Sequence, residues 1–166
     1  MKLNFLVIAL SALVPSIIGF IWYHPKVAGN AWQKVTGLTD DQIKNANMPL
    51  IMGVSLLLSF LLAVQVNFLV VHQAHIYSVV MDEPAFKDPN SALSLMIKDF
   101  MEQYGNNFRT FKHGAFHGAL SGFFFMLPIL ATNALFERKG FKYIAINAAY
   151  WIITLAVMGG IICQFG

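Results

Sequence analysis

Four histidines carry the first chemistry this sequence offers. His72 and His75 stand three residues apart, and His113 and His117 stand four apart. Both spacings place a pair on one face of a helix. Neutral imidazole ligates zinc, copper and iron, and one histidine from each of two helices can hold a haem axially. These residues are therefore a candidate metal or haem site. The plainer reading is histidines that face water or lipid headgroups. No His-Glu-x-x-His element accompanies them. Gln65, Asn67 and Cys163 are expected at the same level of the molecule.

A second constellation combines Trp22, Tyr23, Trp32, Asn133, Glu137, Arg138, Asn147 and Tyr150. Its aromatics have the character of an interfacial belt. Its functional version is a pocket for a small ligand or lipid headgroup, lined by Trp22, Tyr23, Asn133, Arg138 and Asn147. Asn133 and Asn147 are expected near matching ends of consecutive helices, bonded across them. Glu137 and Arg138 are expected to pair with each other or to cap helix ends. No Gly-x-Ser-x-Gly element, paired intramembrane carboxylates or phosphate-binding glycine loop occurs. Catalysis is accordingly not the expected role, and no particular cofactor is specified.

The elements that must position these residues follow from composition. Hydrophobic residues make up 57% of the 166 residues and charged residues 11%. A soluble domain carries about a quarter charged residues, so this chain cannot cover a water-facing surface. Four apolar stretches each meet the roughly 20 residues needed to cross a bilayer: about 3–23, 50–71, 115–135 and 143–163. Backbone in hydrocarbon must pair its own polar groups, so these are helices. The expected fold is all-α, an integral membrane bundle of four transmembrane helices in a single domain over 1–166. Pro15 and Pro128 should each kink a span. All Asp and Glu residues fall outside the spans, which argues against a proton-driven transporter. Met1-Lys2 and the apolar run after it resemble a signal peptide. The run continues to Tyr23 without a cleavage site, so it is expected to be a retained first span.

The connectors carry structure of their own. Ala28 to Thr36 is expected to form a short helix stopped by Gly37, and Thr39 to Gln42 has the spacing of a capping box. In the long second loop, Leu93, Met96, Ile97, Phe100, Met101 and Tyr104 recur at helical spacing, with Lys98, Asp99, Glu102 and Gln103 opposite. They predict an extra amphipathic helix over about 90–104, opened by Asp88 and Pro89. It would lie on the membrane interface or dock a partner. Gly114, Gly118 and Gly122 form a small-residue stripe that suits close helix packing, either within the bundle or between copies.

The net charge is +3. Its cations are dispersed through the loops, so contact with anionic lipid is expected and nucleic-acid binding is not. One cysteine excludes an internal disulfide and a cysteine-based zinc site. Lys2, Lys87, Lys98, Arg109 and Lys112 fall on one side of the membrane, and Lys26, Lys34, Lys44, Arg138, Lys139 and Lys142 on the other. The second set sits in short loops close to span ends, which favours loops one and three as cytoplasmic.

Gly19 to Pro25, Gly29 to Trp32 and Gly37-Leu38-Thr39, followed by Asn133 to Arg138 and Ile146 to Trp151, resemble a bacterial membrane-protein family known as domain of unknown function 1761. His75 to Lys112 matches it less well. The resemblance implies a small four-span protein of a bacterial plasma (inner) membrane and brings no reaction with it. The expected role is a non-enzymatic homo-oligomer or an accessory subunit of a membrane-protein complex in the lipid bilayer. The alternatives are a metal- or haem-dependent redox protein and a small-solute or lipid-binding transporter.

Overall fold

The apolar stretches fold as a bundle in which one helix is the hub. The computed structural model describes residues 3–166; Lys2, counted above among the cations, lies outside the described residues. Among the described residues the secondary structure is helical, with no strand. Four helical runs are long and apolar enough to cross a membrane: Phe5–Trp22, Met48–Val70, Phe111–Phe136 and Phe141–Phe165.

Proline shapes two of them. The first span is α1 (Phe5–Ser11) and α2 (Val14–Trp22), interrupted at Ala12 and Leu13. Pro15 has no N–H to give to the Ser11 carbonyl, so the helix breaks one turn before it. The connector that follows opens with a π-helical turn (Pro25–Gly29), so α3 (Asn30–Thr36) starts at Asn30 rather than Ala28. Gly37 ends it at φ 79°, a left-handed conformation that favours glycine. The expected capping box opens α4 (Asp40–Lys44), with Thr39 and Gln42 bonding each other's backbone.

The second span is α5 (Met48–Val70), capped by the Asn47 side chain. Next come α6 (Gln73–Val80) and a 3₁₀ turn (Pro84–Lys87). The amphipathic helix is α7 (Ala92–Tyr104). Its cap is Ser91, whose hydroxyl accepts from the Ser94 N–H at 3.1 Å. Asp88, the cap expected from sequence, instead closes the preceding turn by accepting from Asn90 N–H at 2.9 Å. Of its apolar positions only Ile97 is buried, while Met96, Phe100 and Tyr104 remain exposed.

The third span is α8 (Phe111–Ser121), a π-helical turn (Gly122–Met126) and α9 (Leu127–Phe136), which has Pro128 in its first turn. The wider turn accommodates the backbone bond that Pro128 cannot make. This span starts at Phe111, four residues before the hydropathy boundary. Thr110 caps it, and the polar Lys112 and His113 occupy its first turn. The fourth span, α10 (Phe141–Phe165), likewise starts early and takes in Lys142.

Half of α10's most apolar window is buried, against 17% for α5 and 11% for the third span. Small residues explain this contact. A methyl at Gly114 or Gly118 would collide with the α10 backbone at Gly159 or Leu155, and one at Gly122 with Ile152. The glycine stripe is thus packed against α10 within the chain. Ile8, Ala12, Val66, Val70, Leu155, Met158 and Ile162 fill the core beside it.

Candidate metal centre

The structure brings together three of the four histidines. α5 ends at Val70, and buried Val71 turns the chain out of the span with φ −104° and ψ 86°. His72 sits at that corner, at the start of α6, against the first two turns of α8. His113 and His117 are successive turns of α8 on the face presented to it. The ring centroids are 5.0 Å apart for His72–His113, 4.8 Å for His72–His117 and 4.5 Å for His113–His117. The Nε2 atoms of His72 and His113 are 2.9 Å apart. One nitrogen from each ring lies within 4.8 Å of the other two. His75, one turn further along α6, is exposed and outside the group, because the corner at Val71 carries α6 away from α8.

Several features hold this corner. Cys163 on α10 is buried, and its single thiol proton is shared between the carbonyls of Val70 and Phe108, at 3.4 and 3.3 Å from the sulfur. It therefore pins the end of α5 and the approach to α8, and it is not a member of the nitrogen group. Phe108 has φ 60°, a left-handed conformation costing a non-glycine residue about 1–2 kcal/mol. That backbone turn accompanies a carbonyl bonded to Cys163 and a ring 5.1 Å from His113. Arg109 donates to the Gly166 carbonyl, and the Gln164 side chain accepts from Phe111 N–H at 3.2 Å. Asn67 is buried at this level and Gln65 is exposed.

Burial holds the His72 pKa below the usual imidazole value, with His117 and then His75 adding to the effect. The shift favours the neutral ring, which is the ligating form. Beside it a groove of about 500 Å³ runs between α6 and α7, lined by His72, Gln73, Ile76, Phe100, Tyr104, Asn107 and Phe108. Gln73 closes one wall by donating to the Asn107 carbonyl at 2.8 Å. Sequence reading missed Gln73, Asn107 and Phe108 as parts of this site. Only the amphipathic spacing of Phe100 and Tyr104 hinted at the groove.

The second constellation divides. Trp22, Tyr23 and Asn147 come together at the opposite end of the bundle. Trp22 Nε1 donates to the Ile146 carbonyl at 3.2 Å, and the Tyr23 hydroxyl to Asn147 Oδ1 at 3.0 Å. Asn147 Nδ2 donates to the Tyr143 carbonyl at 2.8 Å, and Tyr150 to the Pro15 carbonyl at 2.8 Å. Trp32 packs edge-on to Tyr23 at 5.4 Å. Asn133 and Arg138 are exposed and stand apart, so Asn147 pairs with Tyr23 and Tyr143 instead of Asn133. Glu137 and Arg138 form no ion pair but end α9, Glu137 as its C-cap and Arg138 in a left-handed conformation at φ 56°; among the described residues the ion pair present is Lys98–Glu102 on α7.

The family model described as "Protein of unknown function (DUF1761)" matches residues 6–163, nearly the whole chain, and the chain belongs to that family. No curated protein and no solved structure matches it.

Proposed function

We propose that this DUF1761 member binds one transition-metal ion at the membrane surface through His72, His113 and His117. The observation carrying this reading is the convergence of three imidazole nitrogens from two separate helices. Zinc–imidazole bonds of about 2.0–2.1 Å put tetrahedral ligand nitrogens about 3.3 Å apart. The closest pair here is at 2.9 Å, and the group spans no more than 4.8 Å. Modest ring rotations therefore close the site around one ion. The group contains no carboxylate, which disfavours magnesium and calcium and suits zinc, copper or iron. Three ligands leave a position open for exchange, as in catalytic rather than purely structural zinc sites. The 2.9 Å between His72 and His113 is too short for that pair to hold a haem between them.

The cations near Lys26, Lys34, Lys44 and Arg138 to Lys142 support a cytoplasmic aromatic end in a bacterial plasma membrane. The metal would then lie on the outer face. A non-permeant label reaching Lys98 but not Lys34 in intact cells would support this orientation, and the reverse pattern would overturn it.

Elemental analysis of the protein, purified in mild detergent, loaded with zinc and dialysed, tests the metal. One ion per chain is expected, retained by His75→Ala and lost by His113→Ala and His117→Ala. A protein that keeps no ion, or loses it equally in His75→Ala, would defeat the reading. What remains then is a packing role as a homo-oligomer or accessory subunit, which the mass of the detergent-solubilised particle would report.

A further inference from the structure

We propose that the open coordination position receives the carboxylate of a single-chain fatty acid whose chain lies in the groove between α6 and α7. This rests on the metal reading above. A divalent ion held by three neutral imidazoles keeps its full charge, and the cluster supplies no carboxylate to offset it. Uncompensated charge at the edge of a bilayer is costly, so an outside anion is the favoured fourth ligand. The groove decides what that anion is attached to. Ile76, Phe100, Tyr104 and Phe108 give it an apolar lining, and its volume of about 500 Å³ is within the range of small-molecule pockets. His72 belongs to both the cluster and the groove, and Phe108 lines the groove while its ring lies 5.1 Å from His113. An anionic head on the metal therefore leaves its tail at the groove's mouth. The site lies where α5 ends and α8 begins, at the level of lipid headgroups, where such amphiphiles concentrate.

The test uses the full chain loaded with cobalt(II) in nanodiscs of zwitterionic lipid, titrated with oleate, acetate, oleyl alcohol or lysophosphatidate. Oleate is expected to shift the cobalt visible bands and to bind at least a hundredfold more tightly than acetate. The Phe100→Ala/Tyr104→Ala double variant alters two exposed side chains. It should keep its cobalt and its acetate affinity while losing at least tenfold in oleate affinity. If cobalt binds but oleate and acetate bind equally, the groove inference falls and the metal site stands. Oleate binding without a change in the cobalt bands also overturns it, as does equal binding of oleyl alcohol. Tighter binding of lysophosphatidate overturns the carboxylate assignment in favour of a phosphate head. Failure to take up cobalt overturns this inference and the metal reading together.

Discussion

The two ends of this bundle gather polar side chains and treat them in opposite ways. At the aromatic end each group that comes together meets a complementary one. Trp22 finds a carbonyl, Tyr23 finds the Asn147 oxygen, and the Asn147 amide finds Tyr143. Such a network stabilises the helices around it. At the other end three groups of one kind converge. A neutral imidazole has one donor and one acceptor nitrogen. Three converging nitrogens can form one hydrogen bond, like that between His72 and His113, but cannot all pair with each other. A cation satisfies all three at once. The complementary pairs at one end account for its structure, and the like groups at the other are the basis of the proposed metal site.

The contrast can be tested by substitution. The α8–α10 contact lies between the two ends, so Gly118→Val should damage the whole molecule, destabilising it by about 3 kcal/mol as the added side chain meets the Leu155 backbone. Thermal unfolding in detergent reads this directly, and an unchanged midpoint would mean the helices are not packed as described. The next effect should be confined to one end. His113→Ala should lower zinc affinity by more than about a hundredfold, since even second-shell changes cost 10–100-fold. Asn147→Ala should leave zinc affinity alone. Competition against a chromogenic chelator measures both, and a metal loss in Asn147→Ala would erase the distinction between the ends.

Acid should also separate them. Protons compete with metal for imidazole, and the His72 pKa is held below the usual value. Cobalt should therefore persist as pH falls to the usual imidazole value and leave only below it, as read from the visible bands. For the apo protein the sign is the same. Between the two pKa values the unfolded chain binds more protons at this position, so stability falls as pH drops through that window and levels off below it. The smallest effect should be Tyr23→Phe, which removes one hydrogen bond to Asn147 and costs about 1 kcal/mol in unfolding without altering metal binding. A loss several times larger would show that Tyr23 does more than hold α2 to α10.

Span number, helix type and the amphipathic α7 were legible because each depends on local composition. A run of apolar residues has one way to satisfy its backbone in lipid, and Pro15 interrupts a helix wherever that helix sits. The cap at Ser91 was misassigned to Asp88 because both are good caps three residues apart, and only the path of the chain selects between them. The third span was read short at Phe111 because hydropathy treats Lys112 and His113 as loop.

The histidine pairs were visible as spacings, since periodicity along one helix is written in the chain. Which of the four would meet was not. That depended on the turn at Val71, which is a product of how α5 is pinned to α10 by Cys163 and Val70. The left-handed backbone at Phe108 and the groove beside it were equally hidden, because both arise from residues distant in sequence. Hydropathy placed Asn133 and Asn147 near matching ends of consecutive helices, but the face each presents is set by side-chain packing, which leaves Asn133 exposed and bonds Asn147 to Tyr23 and Tyr143. Depth in the bilayer is a one-dimensional property and follows from the order of residues, whereas facing is a relation between helices and exists only once they have packed.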